Sequence, residues 1–214
     1  MFQPLSNKKV LLTVGPTREY LDSVRYLSNA SSGRMGLALA RALSALGAGV
    51  EIVSGPGVAV PRRFRSVRVR SARDMFSRVR ERFGRADVFI SAAAVSDFRP
   101  ARRISGKMSR SGGRSARVEL RPNPDILDWA GGRKGRRVVV GFALEGRGGL
   151  RRASWKMARK RCDLLILNGP ETMESERIRP TILRPGARPR ALGLMTKERC
   201  ARAICREIIR LVQK

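Results

Sequence analysis

Ser28, Asn29, Ser31, Ser32 and Gly33 place small groups with donors or acceptors directly ahead of an apolar-periodic segment through Met35, Leu37, Ala40, Leu43 and Leu46. Upstream, Val10 to Val14 is a short continuous apolar run that stops at Gly15-Pro16, the pattern of a strand buried on both faces and followed by a loop. A strand, a polar glycine-containing loop and a helix start make an anion site, because unpaired backbone N–H groups and the helix dipole face the loop. The same residues would also serve as an ordinary cap and turn. The spacing is not G-x-G-x-x-G, and no Gly-Lys-Ser/Thr follows Gly33, so neither standard phosphate motif applies.

Cations that could meet an anion are plentiful. The 214 residues carry 46 Lys and Arg against 17 Asp and Glu, a net charge of +29. That balance favours nucleotides, phosphorylated metabolites, nucleic acid or an anionic membrane surface, or else reflects solvated outer faces filled with arginine. The chain has no histidine, which excludes Ser-His-Asp and Cys-His nucleophile chemistry. Cys162, Cys200 and Cys205 form no C-x-x-C pair and have no histidine to complete a zinc cage, so no metal centre is expected. Their odd number and the lack of a leader-like start point to a reducing cytoplasm. No apolar run reaches roughly 18 residues, so no membrane span is expected.

The elements that must hold these residues alternate. A helix from about Arg34 to Leu46 ends at Gly47-Ala48-Gly49, and Val50–Val53 reads as the second strand. Val67 and Val69 suggest a third. Met75, Phe76, Val79 and Phe83 form a core-facing stripe on a helix over 72–83. Asp87–Ser91 is the next strand, and Ala92–Ala94 at its end leave room for a flat ligand or for tight packing; Asp97 follows. Residues 102–117 read as a flexible basic loop, a lid or a linker, carrying Lys107, Arg110 and Arg114. Val118–Leu120 suggests a short strand, and Pro124 and Asp125 suit the start of a helix at Ile126. Val138–Phe142 and Leu164–Leu167 are further strands, with Lys156 and Lys160 four apart on the helix between them. Thr181–Leu183 suggests an edge strand, and a helix over 197–212 closes the chain. The expected architecture is α/β: a Rossmann-like doubly wound, mostly parallel sheet in three layers, one domain over 1–214. The loops after residues 14, 53, 91, 142 and 167 should share one ligand edge.

Six ordered blocks carry a family resemblance: GPTREYLDSVRYLSNASSGRMG at 15–36, AAAVSDFRP at 92–100, GKMSRSGG at 106–113, NPDIL at 123–127, GFALE at 141–145 and WKMARKRCDLLILN at 155–168. Together they resemble phosphopantothenoylcysteine synthetase (phosphopantothenate–cysteine ligase), a coenzyme A pathway enzyme often fused in bacteria behind a flavin-dependent decarboxylase. The resemblance implies that the carboxylate of 4′-phosphopantothenate attacks the α-phosphate of CTP, expelling pyrophosphate, and that the acyl-cytidylate is captured by the amine of cysteine. It implies Mg²⁺ with the nucleotide, and a homodimer. It also implies a role for each matching residue. Asn29 would hold the acyl-nucleotide, with Arg25 in the same motif, and Lys107 would close on the phosphates. Asp97, Pro124, Asp125, Ile126, Leu127, Phe142, Lys156 and Lys160 would contact the nucleotide. Gly15, Ser31, Ser32 and Gly33 would form the phosphate and intermediate loop. A stand-alone ligase without flavin, in the cytoplasm, is the expectation.

Two rivals share parts of this pattern. A nicotinamide-dependent oxidoreductase would want G-x-G-x-x-G and an acidic residue after the second strand, where Gly55-Pro56 stands. A basic nucleic-acid-binding protein would use the charge, but the few aromatics and the lack of a recognised module make that binding nonspecific and salt-sensitive.

Overall fold

A computed structural model describes residues 3–109, 117–146, 148–172 and 175–213. Of the loop expected at 102–117, residues 110–116, with Arg110 and Arg114, lie outside the described residues. The apolar run near the start forms β1 (Lys9–Val14). It is followed by a hairpin, β2 (Arg18–Tyr20) and β3 (Tyr26–Ser28), then α1 (Arg34–Ala45), β4 (Gly49–Ser54), β5 (Arg65–Arg68), α2 (Ala72–Phe83) and β6 (Val88–Ser91). A second hairpin pairs β7 (Phe98–Pro100) with β8 (Leu120–Pro122). Next come α3 (Ile126–Gly132), β9 (Val138–Leu144), α4 (Gly149–Arg159) and β10 (Leu164–Asn168). The last elements are β11 (Arg177–Ile178), β12 (Thr181–Leu183), β13 (Arg190–Ala191), β14 (Met195–Thr196) and α5 (Lys197–Val212).

The main sheet runs β13-β12-β10-β9-β6-β1-β4-β5. Six neighbouring strands, from β5 across to β10 in that spatial order, are parallel, and β12 and β13 extend the far edge antiparallel. Counted along the chain, the parallel strands stand third, second, first, fourth, fifth, sixth, the order of the doubly wound dinucleotide fold. The sheet is covered on both faces. Along β1 the alternation of side chains decides the partner: Val10, Leu12 and Val14 point to α1 and α5, and Leu11 points to the layer of α2, α3 and α4.

Two expectations change. Thr181–Leu183 is not the outermost strand, because β13 pairs outside it. That edge is fastened by Glu207 of α5, only 1 % exposed, which receives Arg190 at 2.6 Å, Arg210 at 3.1 Å and Arg184 at 3.2 Å. The loop after β4 also does not join the ligand edge with the others. Gly55 packs against the Pro16 backbone, and Val58 lies beneath Gly15 and Gly33, so this loop props the first loop from behind.

Gly36, in the first turn of α1, sets how closely that helix lies on β1. A Cβ there would sit 2.7 and 2.8 Å from the two methyls of Val14. Gly36→Val should therefore destabilise the protein by about 1–3 kcal/mol through overpacking. Urea unfolding would show this as a lower midpoint, with part of the loss recovered when Val14→Ala is added.

Candidate active site

The loops after β1 and β6 continue the pairing of their strands. Ala94 N–H donates to the Gly15 carbonyl at 2.9 Å, Pro16 bridges Ala94, and Ser96 N–H donates to the Thr17 hydroxyl at 3.0 Å. Asn29 lies across this seam, its Nδ2 donating to the Ala94 carbonyl at 3.0 Å. Asn123 fixes the far side: its side-chain amide donates to the Ser96 carbonyl at 2.9 Å and its N–H to the Asp97 carbonyl at 2.8 Å. Each contact uses a polar group that would otherwise be unpaired at the seam.

Above the seam, α1 begins. Its cap residue is Gly33, in the left-handed region at φ 71°, with no side chain to accept from the first-turn amides and no acidic residue in that turn. Among the described residues no side chain caps this helix start, which favours an anion there. Gly15 (φ 82°), Gly33 and Gly36 fill the parts of the split dinucleotide fingerprint: tight turn, close backbone approach and close helix packing. The β2–β3 hairpin is inserted between the first two, which hides the motif in the sequence.

A cleft of about 370 Å³ opens at this point. Of the residues expected at the site, Asn29, Ser31, Ser32, Gly33, Asp97, Phe142 and Lys156 line it, together with Ala92–Val95. The others lie elsewhere. Gly15 lies under the loop. Ile126 and Leu127 are buried in the core, 3 % and 6 % exposed. Asp125 caps α3 and pairs with Lys160 at 2.6 Å, with Arg159 at 3.7 Å. Burial alone would raise the Asp125 carboxyl, but the Lys160 ammonium and the Asp128 N–H hold it below its ordinary value. Lys160 follows the last residue of α4 and is itself 8 % exposed, so it does not share the cleft with Lys156. Pro124 precedes the cap and is half-buried outside the cleft.

Arg25 and Lys107 belong to a separate clasp. Asp22, buried in the turn of the β2–β3 hairpin, accepts from Arg25 N–H at 2.6 Å, Val24 N–H at 2.7 Å and Met108 N–H at 3.1 Å. The Arg25 guanidinium pairs with Asp22 at 3.3 Å and donates to the Met108 carbonyl. Ser23 N–H reaches Gly106 and Ile104 N–H reaches Leu21, so the 104–108 segment is clipped to the hairpin with Lys107 exposed. Those donated hydrogen bonds, from Arg25 and Val24 first, lower the Asp22 carboxyl to about 2.

Two residues in the cleft carry no sequence signal of function. Lys197 opens α5 and is 7 % exposed; burial first, and the Arg34 charge second, pull its pKa below the usual lysine value. Asn168, at the end of β10, has its Oδ1 buried without a hydrogen-bond partner among the described residues. Both line the cleft with Arg34, Thr172 and Ile178. A buried lysine at a helix start reads from sequence as an ordinary first-turn residue. The three cysteines are buried, and burial pushes each thiol up to about 12, so none is an activated nucleophile. Among the described residues no cluster of three Asp, Glu or Cys could cage a metal, and no helix is long and apolar enough to cross a membrane. A larger groove of about 820 Å³ between the loop after β4 and α2 is more open. Of its charged groups, Arg78 is taken up by Glu81 at 3.0 Å and Asp74 by the cap of α2.

Sheet order and site together define an α/β protein of the dinucleotide-fold type, with a crevice at the switch point suited to an anion. The chain belongs to the DNA/pantothenate metabolism flavoprotein C-terminal domain family, whose pattern matches residues 5–212. It is 40 % identical over 169 residues to the coenzyme A biosynthesis bifunctional protein CoaBC of Vibrio vulnificus (strain YJ016), covering 78 % of this chain and 42 % of that protein. It is 38 % identical over 217 residues to a cysteine/cysteine sulfinic acid decarboxylase from an unknown prokaryotic organism, covering 98 % of this chain and 60 % of that one. The chain therefore spans about half the length of these curated relatives. The crystal structure of the CoaBC C-terminal domain superposes with a TM-score of 0.85 at 33 % identity, covering 99 % of this chain and 98 % of that one.

The clasp has a pH signature. Because the Asp22 carboxyl lies below its ordinary 3.8, its contribution is complete above that value and is lost as pH falls through about 2. Asp22→Asn removes the charge at every pH. Hydrogen exchange at the Met108 and Arg25 amides should then speed up on the order of tenfold, from loss of a charge-assisted acceptor, while protection in β1 and β6 stays unchanged.

Proposed function

We propose that this chain joins 4′-phosphopantothenate to cysteine through an acyl-cytidylate, releasing pyrophosphate and CMP, as a step of coenzyme A biosynthesis. The observation that carries this reading is the uncapped start of α1 facing a cleft with Lys156 and Lys197, in a chain that covers nearly all of the CoaBC C-terminal domain. The physical difficulty of the reaction is bringing a carboxylate and a triphosphate together, and positioning plus charge neutralisation meet it without a protein nucleophile.

In this reading the amides of Ser32, Gly33 and the α1 start, turned by Gly15, receive phosphate oxygens, while the Ser31 N–H is taken by the Asn29 carbonyl at 2.8 Å. Asn29, fixed to the Ala94 carbonyl, orients the acyl-nucleotide, and Phe142 walls the base. Lys156 neutralises the phosphates from the cleft. Lys107 reaches them from outside when the 104–108 segment and the β2–β3 hairpin, clasped by Arg25, close as a lid. Pro124–Leu127 and Lys160 act from behind, since the Asp125–Lys160 pair fixes the start of α3 to the end of α4. Mg²⁺ would be carried in on the triphosphate. The cleft fits that role, as Asp97 is a carboxylate lining it, and this ion commonly takes one or two carboxylates plus phosphate oxygens and water. A homodimer completes the proposal, with sedimentation expected to give twice the chain mass.

The test incubates purified protein with phosphopantothenate, cysteine, Mg²⁺ and either CTP or ATP and follows pyrophosphate. Release that requires phosphopantothenate, faster with CTP, is expected. Lys107→Gln should slow it on the order of 100-fold or more, the scale for loss of one group that stabilises developing charge. Asn29→Asp should instead let pyrophosphate form and stall the intermediate, since it sets a negative charge beside an acyl phosphate. No release with either nucleotide would sink the reading, and tight duplex binding at moderate salt would favour a nucleic-acid role.

A further inference from the structure

A separate groove of about 480 Å³ lies where the β2–β3 hairpin, the start of α2 and the chain of the β7–β8 hairpin meet, and it shares no lining residue with the cleft. Five arginines border it, Arg18, Arg70, Arg73, Arg99 and Arg103, against two carboxylates, Glu19 and Asp74, so three positive charges stand in excess. Among the described residues neither carboxylate forms an ion pair with any of the five. Glu19 is 3 % exposed, and its Oε1 accepts the Ala72 N–H at 2.8 Å. Asp74 closes the cap of α2, its Oδ2 accepting the Ser71 N–H at 3.0 Å and the Arg70 N–H at 3.4 Å. Both acids are thus occupied by main-chain donors.

The arginines are held in ways that leave donors open. Arg18 lies over the Tyr26 ring at 4.4 Å and Arg103 over the Tyr20 ring at 5.2 Å, and the two rings pack on each other at 5.4 Å. A cation–π contact engages the charge of a guanidinium without supplying an acceptor for its N–H groups. Arg99 turns Nη1 to the Pro122 carbonyl and to Asn123 Oδ1 at 3.3 Å, and among the described residues nothing accepts from its Nε or Nη2. Arg70 and Arg73 stand on either side of the Ser71 cap and are exposed. Cations gathered around one concavity repel each other, and an anion placed among them removes that cost.

Guanidinium forks match the oxygens of a phosphate, and the excess of charge calls for more than one phosphate on the same molecule. The volume falls within the roughly 300–1,000 Å³ of small-molecule sites. We propose that this groove binds a small polyphosphate anion, met by Arg18, Arg99 and Arg103 from the hairpins and by Arg70 and Arg73 from the start of α2. The groove also adjoins the clasp. Ser23, which lines it, donates its N–H to the Gly106 carbonyl at 2.9 Å, and Ile104, next to Arg103, donates to the Leu21 carbonyl at 2.8 Å. An anion held by Arg18 and Arg103 therefore joins β2 to the chain entering the 104–108 segment, and its binding slows the opening of the clasp.

Calorimetric titration of the full chain with inorganic tripolyphosphate, without nucleotide or Mg²⁺, tests the proposal. The wild-type chain should bind it, and Arg73→Gln with Arg103→Gln, both at exposed positions, should weaken that binding by roughly tenfold or more, the scale of lost charge-assisted contacts. Arg202→Gln with Arg206→Gln removes the same charge from exposed positions on α5 and should leave the affinity within about twofold, since charges at a distance are screened. Lys156→Gln, in the cleft, should leave binding in the groove intact. Hydrogen exchange at the Ser23 and Ile104 amides should slow several-fold on adding tripolyphosphate, and not in the Arg73/Arg103 double variant. No binding by the wild-type chain, or equal losses in the two arginine pairs, would overturn the inference. So would a loss confined to Lys156→Gln, which gives the anion to the cleft, or unchanged exchange at both amides under saturation. None of these readouts uses pyrophosphate release, so the result stands apart from the ligase reading.

Discussion

At the carboxyl ends of β1 and β6 the chain departs to opposite faces of the sheet, which opens a gap between the two helical layers. α1 packs with α5 on one face, and α2, α3 and α4 cover the other. Everything at the site follows from this divergence. The two loops that flank the gap are joined backbone to backbone through Ala94, Gly15, Pro16 and Thr17, so the floor is rigid even though the space above it is open. Its height is set by Gly36, which lets α1 settle on Val14 and so aims the helix start into the gap rather than past it.

Charge is handled differently at the edges and at the centre. Along the periphery carboxylates are met by cations: Glu207 takes three arginines, Glu51 and Glu81 share Arg82, and Asp163 holds Lys134 at 2.6 Å. Most of these pairs are partly exposed and contribute little individually. Their effect is local, fastening the β12–β13 edge and the ends of α2 and β10. In the cleft the balance reverses. Among the described residues lining the cleft, Asp97 stands with Lys156 and Lys197, and dehydration makes their charge more consequential than the +29 spread over the surface.

The parallel sheet was legible because strands buried on both faces read as unbroken apolar runs, as at Val10–Val14 and Leu164–Leu167. The helices were legible from their spacing and glycine stops. The two hairpins were not, because Arg18–Tyr20 and Tyr26–Ser28 are short, polar and partly exposed, with the turn formed by the side chain of Asp22 rather than by a glycine dipeptide. Insertion of the first hairpin also disguised the relation between Gly15 and the pair Gly33 and Gly36. Lys156 and Lys160 looked alike at helical spacing, yet the helix stops at Arg159 and the second lysine swings to Asp125. Lys197 could not be found by any local rule, since what singles it out is the arrival of α5 beside Arg34, which lies far away in the chain.

With no histidine and every cysteine buried at a raised pKa, the chain has little means of covalent assistance, and its polar groups are held by tertiary contacts instead. The side chain of Asn29 is fixed by a backbone carbonyl from another loop, and the main chain beside Lys107 and at Asp97 is held by the β2–β3 hairpin and by Asn123. Such fixing matters most where charge must be met without time for solvent to reorganise, because a dipole already in place incurs no reorganisation cost. The β1–β6 floor is tied through the main chain, whereas the Lys107 segment is held by one carboxylate, Asp22, and a few amides.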